Sequence, residues 1–95
     1  MEDVEKWMRR FKRFLKEENI YNSFKTNFYK QVNKRITWSG NYTSYFLKCV
    51  DNPSFSDFCL SLKDARELLN FSFEWSNTKE GHEFWLEKSK KWREY

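Results

Sequence analysis

Few residues of this 95-residue chain offer chemistry beyond charge. There is one histidine, His82, and there are two cysteines, Cys49 and Cys59. A cysteine nucleophile needs a base beside it, and no local spacing pairs either thiol with His82. The same three residues form no C-x-x-C or H-x-x-x-H pair, so the ligand spacings of a zinc site are missing. Gly40 and Gly81 stand far apart, which leaves no glycine-rich phosphate loop. Glu80 and Glu83 lie one helical turn apart, the spacing of an ordinary solvated pair. The sequence therefore points to no catalytic residue, metal or cofactor, and the expectation is a protein that is not an enzyme.

Charge is the richer signal. The chain carries 18 basic and 14 acidic residues, for a net +4. The excess is concentrated: residues 6–50 hold 11 basic and 2 acidic side chains, a local +9. Every charge from Lys6 to Lys16 is positive. Tyr21, Tyr29, Trp38 and Tyr42 interleave with this segment, as rings do where bases stack beside a cationic track. Arg9, Arg10, Arg13, Lys34 and Arg35 are the residues such a nucleic-acid-binding face would use. No established nucleic-acid-binding motif accompanies them, and a solvated helix back explains the same charges.

Aromatic residues are the second anomaly. Ten Phe, five Tyr and five Trp make up 21% of the chain. Each buried ring removes about 150–250 Å² from water, so a small domain needs most of them for its core. A domain of this size buries only about 60–65% of its unfolded surface, which leaves some rings outside. Tyr and Trp are common interface anchors, and Trp38, Tyr42, Trp85 and Trp92 are the candidates for protein binding. A homodimer burying the same rings is an alternative.

These residues need elements to hold them. Val4, Trp7, Met8, Phe11, Phe14 and Leu15 recur at three- and four-residue spacing, which predicts a helix over 3–17 with a cationic back. Ile20, Phe24, Phe28 and Val32 predict a second, over 20–35, with Asn19 as its cap. Tyr42, Tyr45, Phe46, Cys49 and Val50 predict a third, over 41–51. Thr37, Trp38 and the Ser39-Gly40-Asn41 turn chemistry offer a short β-hairpin around 36–46 as the competing reading. Asn52-Pro53 stops one helix and starts another, which runs over 54–75 with a break near Ser61. Asn77 and Glu80 have capping-box spacing before a last helix over 78–94. The expected fold is an all-α bundle of about five short helices in a single domain, 1–95. No apolar run approaches the ~18 residues of a membrane span, and the first residues lack the apolar core of a secretory signal. Few cysteines and no signal suggest a reducing cytoplasm and two packed thiols.

The most distinctive string runs from Phe73 to Trp85: F-x-W-x-x-T-x-E-G-x-x-F-W, through Trp75, Thr78, Glu80, Gly81 and Phe84. It resembles a signature of small proteins from tailed bacteriophages. The resemblance implies a phage or prophage origin and a bacterial cytoplasmic setting, and it implies no activity. Physically, the string describes a helix–turn–helix corner, with Gly81 admitting a close neighbour and Phe84 and Trp85 folding back on Phe73 and Trp75. A ligand site at Thr78, Glu80 and His82 is the sharper alternative, and Glu80 would oppose an anion there. The expected function is a non-enzymatic phage-encoded binding protein that engages a bacterial host or defence protein as a takeover or anti-defence inhibitor. A nucleic-acid-binding module is the first alternative and a small nucleotide-binding protein the second.

Overall fold

The computed structural model describes residues 3–35, 40–57, 60–74 and 76–95, the side chains of 31–35, 40–43, 56 and 57 excepted. Five α-helices are present: α1 (Val4–Glu17), α2 (Tyr21–Arg35), α3 (Gly40–Asp51), α4 (Leu62–Glu74) and α5 (Lys79–Glu94). A short 3-10 segment, Pro53–Asp57, joins α3 towards α4. No strand occurs among the described residues. The hairpin around 36–46 is therefore corrected: its second arm is the first half of α3, and residues 36–39 lie outside the described residues. The helical spacing of Phe46, Cys49 and Val50 decides this, because all three are fully buried on one face.

α1 is the amphipathic helix its sequence predicts. Asp3 caps it, accepting the Lys6 N–H at 2.7 Å. Trp7, Met8, Phe11, Phe14 and Leu15 are all buried. The helix ends in a Schellman turn rather than at a cap for α2. Asn19 has φ of 57°, the left-handed conformation that Asn tolerates better than most residues. The Asn19 N–H donates to the Lys16 carbonyl at 3.1 Å, and the Ile20 N–H donates to that of Leu15 at 2.9 Å. Both Leu15 and Ile20 are buried, which supplies the apolar contact this motif uses. Asn19 thus closes α1 instead of opening α2.

The stretch over 54–75 breaks near Ser61 as its sequence suggests, and the first piece is a 3-10 segment rather than α-helix. Phe55 N–H donates to the Asn52 carbonyl at 2.9 Å, the tighter repeat of a 3-10 turn. Ser61 then caps α4: its hydroxyl accepts the Asp64 N–H at 3.1 Å and its carbonyl the Ala65 N–H at 2.9 Å. That capping residue sets the break at Ser61. It also removes Phe55 from the core stripe, leaving it 44% exposed.

The buried residues form one cluster, and Phe24 of α2 lies at its middle. Its ring centroid is 5.1 Å from Phe11 of α1, 5.9 Å from Phe73 of α4 and 6.0 Å from Trp85 of α5. Phe28 continues the layer, stacked on Phe46 of α3 at 4.8 Å. The Cα radius of gyration is 12.5 Å, beside about 12.4 Å expected for a compact chain of this length.

The Phe73–Trp85 corner is built in part as its sequence describes: Trp85 folds back on Phe73, while Phe84, expected beside it, is 43% exposed. Phe73 and Trp85 are buried with centroids 6.3 Å apart, while Trp75 lies outside the described residues. Thr78, not Asn77, caps α5: its hydroxyl accepts the Gly81 N–H at 3.0 Å. A Cβ on Gly81 would stand 2.3 Å from Ser76 Oγ and 2.9 Å from Thr78 Oγ1. The close neighbour that requires glycine is the capping loop itself. Alanine at a helical position is favoured over glycine by about 1 kcal/mol, and here the Ser76 hydroxyl opposes that gain. Gly81→Ala is expected to stabilise the chain more in a Ser76→Ala background than alone, by about 0.5–1 kcal/mol in a urea double-mutant cycle.

Candidate functional site

The charged back of α1 becomes a groove because the chain returns to it 35 to 45 residues later. The 3-10 segment packs along α1. Between them lies an open groove of about 450 Å³, lined by Arg9, Lys12, Arg13, Lys16 and Glu17 from α1 and by Asn52, Pro53 and Ser54 across from them. The cations are held rather than loose. Arg9 pairs with Glu5 at 2.6 Å. Lys12 Nζ donates to the Asp51 carbonyl at 2.5 Å. Arg13 Nε donates to the Tyr95 hydroxyl at 2.8 Å, which in turn donates to Glu17 Oε2 at 2.8 Å. Lys16 lies over the Tyr21 ring, 5.5 Å from its centroid.

Tyr21 and Asp51 anchor the wall of the groove. Lys25 also covers the Tyr21 ring, at 4.3 Å. The Tyr21 hydroxyl donates to Asp51 Oδ1, and Lys25 Nζ donates to the same oxygen at 2.8 Å. Partial burial would raise the Asp51 carboxyl, but the Lys25 and Tyr21 hydrogen bonds outweigh it and hold it below its ordinary value. Burial, and then the bond to Asp51, push the Tyr21 phenol up, so it stays protonated well beyond its ordinary range. Behind the groove, Glu18 accepts from Lys88 at 2.8 Å and Lys91 at 3.2 Å. Those bonds hold the Glu18 carboxyl low and tie α5 to the end of α1.

The residues put forward for nucleic acid separate in space. Arg9 and Arg13 share the groove. Arg10 lies on the other flank of α1, with its guanidinium 5.0 Å from the Trp92 centroid. The side chains of Lys34 and Arg35 lie outside the described residues. Of the rings put forward for protein binding, Trp38 and the Tyr42 side chain also lie outside them. Trp85 is 6% exposed and touches Phe24 and Phe73, so it is corrected from an exposed anchor to a core residue. Trp92 is half-buried, packed against Trp7 at 5.6 Å and Phe11 at 5.1 Å with part of its ring still accessible. α5 turns its 85–89–92 line inward, and this turns Phe84 outward. Tyr29, Phe55, Phe84 and Tyr95 are the exposed large rings among the described residues. Asn52, Ser54 and the Tyr21–Asp51 pair were missed because their role comes from a tertiary contact with α1.

The alternative site at the start of α5 loses a ligand-binding group, since the Thr78 hydroxyl is occupied as the cap. Among the described residues no group of His, Cys, Asp and Glu has the arrangement to hold a metal. No helix formed by them is long and apolar enough to cross a membrane. No family model, curated protein or solved structure matches this chain.

The two lowered carboxyls fix the sign of the acid response. Their contribution to stability is complete above the ordinary carboxylate range of an unfolded chain and is lost as pH falls through their folded values. Stability is expected to fall below about pH 4. Urea midpoints taken from pH 7 down to pH 2 should show a shallower decline for Asp51→Asn than for the natural sequence.

Proposed function

We propose that this chain is a non-enzymatic binding protein that engages an acidic face of a bacterial host or defence protein through the α1 groove. The carrying observation is the groove itself, where Arg9, Lys12, Arg13 and Lys16 line one wall and the polar Asn52 and Ser54 the other. Their intramolecular partners position these cations before binding, which reduces the side-chain entropy lost on association. One exposed ring adjoins the groove: Tyr95 lies beneath Arg13, whose guanidinium is 5.6 Å from the ring centroid. Arg and Tyr beside polar groups are the composition of a protein interface. Glu5 and Glu17 lie among the cations. They would repel the continuous negative charge of a polyphosphate. The phage setting, the host cytoplasm and the inhibitor role rest on the resemblance carried by residues 73–85.

Nucleic acid is the second reading, favoured by the local +9 over residues 6–50. Nuclease treatment and salt separate the two. Tagged protein is passed through nuclease-treated bacterial lysate beside an Arg9→Gln/Lys16→Gln variant. The proposal expects a stoichiometric protein partner retained after nuclease and weakened about tenfold or more in the variant. Capture of that partner unchanged by the variant would contradict the groove. Recovery of nucleic acid alone, shed steeply with rising salt, would replace the protein reading with the second one.

A further inference from the structure

A second cationic site lies on the opposite flank of α1. Here α1, α4 and α5 enclose a pocket of about 220 Å³. Each helix sends in one arginine: Arg10 from α1, Arg66 from α4 and Arg93 from α5. Trp7, Trp92 and Asn70 complete the polar and aromatic lining, and the lining residues carry three positive charges and no negative one. The arginines are 56 and 27 residues apart in sequence, so helix periodicity does not bring them together; the tertiary fold does.

We propose that this pocket binds a phosphate group. The chemistry follows from number and shape. A guanidinium presents paired donors that match phosphate oxygens two at a time. Three arginines from three helices suit a tetrahedral dianion better than a planar carboxylate with two oxygens. Asn70 can add one further polar contact. Two of the arginines are oriented in advance. Arg10 lies against the Trp92 ring at 5.0 Å, and Arg93 Nη2 donates to the buried Ser89 hydroxyl at 3.2 Å. Both restraints reduce the ordering needed on binding. The pocket is smaller than the ~300–1,000 Å³ of sites that enclose whole drug-sized ligands. It therefore takes the phosphate itself, and the rest of a phosphorylated molecule stays outside. The α1 groove contributes no residue to it, so the two sites stand or fall separately.

The test is calorimetric titration of the whole chain in low-chloride buffer, with tryptophan fluorescence as a second readout because Trp7 and Trp92 line the pocket. The probes are inorganic phosphate and adenosine 5′-monophosphate. Saturable one-to-one binding is expected. It should weaken about tenfold or more in Arg66→Gln/Arg93→Gln, two exposed positions whose substitution leaves the core intact. Circular dichroism confirms the fold of that variant, and Arg66→Gln alone serves if the pair is unstable. Arg9→Gln/Lys16→Gln should bind both probes as the natural sequence does. Tighter binding of the nucleotide would identify the source as an organic phosphomonoester, and equal binding would identify free phosphate. Absence of saturation with both probes, or equal binding by the Arg66/Arg93 variant, overturns the proposal.

Discussion

The fold depends on one ring. Phe24 contacts aromatic side chains from α1, α4 and α5, and through Phe28 it reaches α3. Edge-on and tilted contacts such as these add about 0.5–1.5 kcal/mol per pair beyond the area they bury. They are also directional, so they select one mutual orientation of the helices where aliphatic contacts would tolerate several. The aromatic richness of the chain follows from this. A small domain has little interior, and fewer, larger side chains fill it with fewer ordered rotors.

Most of the described large rings are committed to the core. Of the tryptophans that make attractive anchors in the sequence, Trp85 faces inward and Trp92 is half-buried. What remains outside among the described residues is charge held in fixed positions and a few rings, Tyr95 among them. α1 is the element that joins the two roles, with Trp7, Phe11 and Phe14 on one side and Arg9, Lys12, Arg13 and Lys16 on the other. The hydrogen bonds among Arg13, Tyr95 and Glu17, and those of Lys88 and Lys91 with Glu18, fasten the last helix to the first. Exposed ion pairs contribute little to stability, and their larger effect here is to fix the directions of the cations.

Periodicity revealed the helices because each buries one face, and this requires the three- and four-residue spacing seen at Phe11, Phe14 and Leu15 or at Phe46, Cys49 and Val50. Helix ends were harder to read, because the same side chain serves more than one purpose. Asn19 has the composition of an N-cap and the conformation of a C-terminal Schellman residue. Asn77 and Thr78 compete for one cap, and Thr78 makes the hydrogen bond. For the candidate site, the cations of α1 were visible in the sequence and their partition was not. Adjacent residues on a helix point about 100° apart. Arg9 therefore faces the 3-10 segment while Arg10 faces α4 and α5. Only the packing of those distant segments gives each arginine its separate surroundings.

The central claim is a division of labour, with the buried aromatic residues around Phe24 maintaining the fold and the cations of α1 available for binding. Urea unfolding of Phe24→Ala beside Arg9→Gln/Lys16→Gln tests it most directly. The account predicts a loss of about 3–5 kcal/mol for Phe24→Ala and less than about 1 kcal/mol for the charge variant. A charge variant that loses as much as the ring deletion would contradict it, since the cations would then belong to the structure rather than to a binding surface.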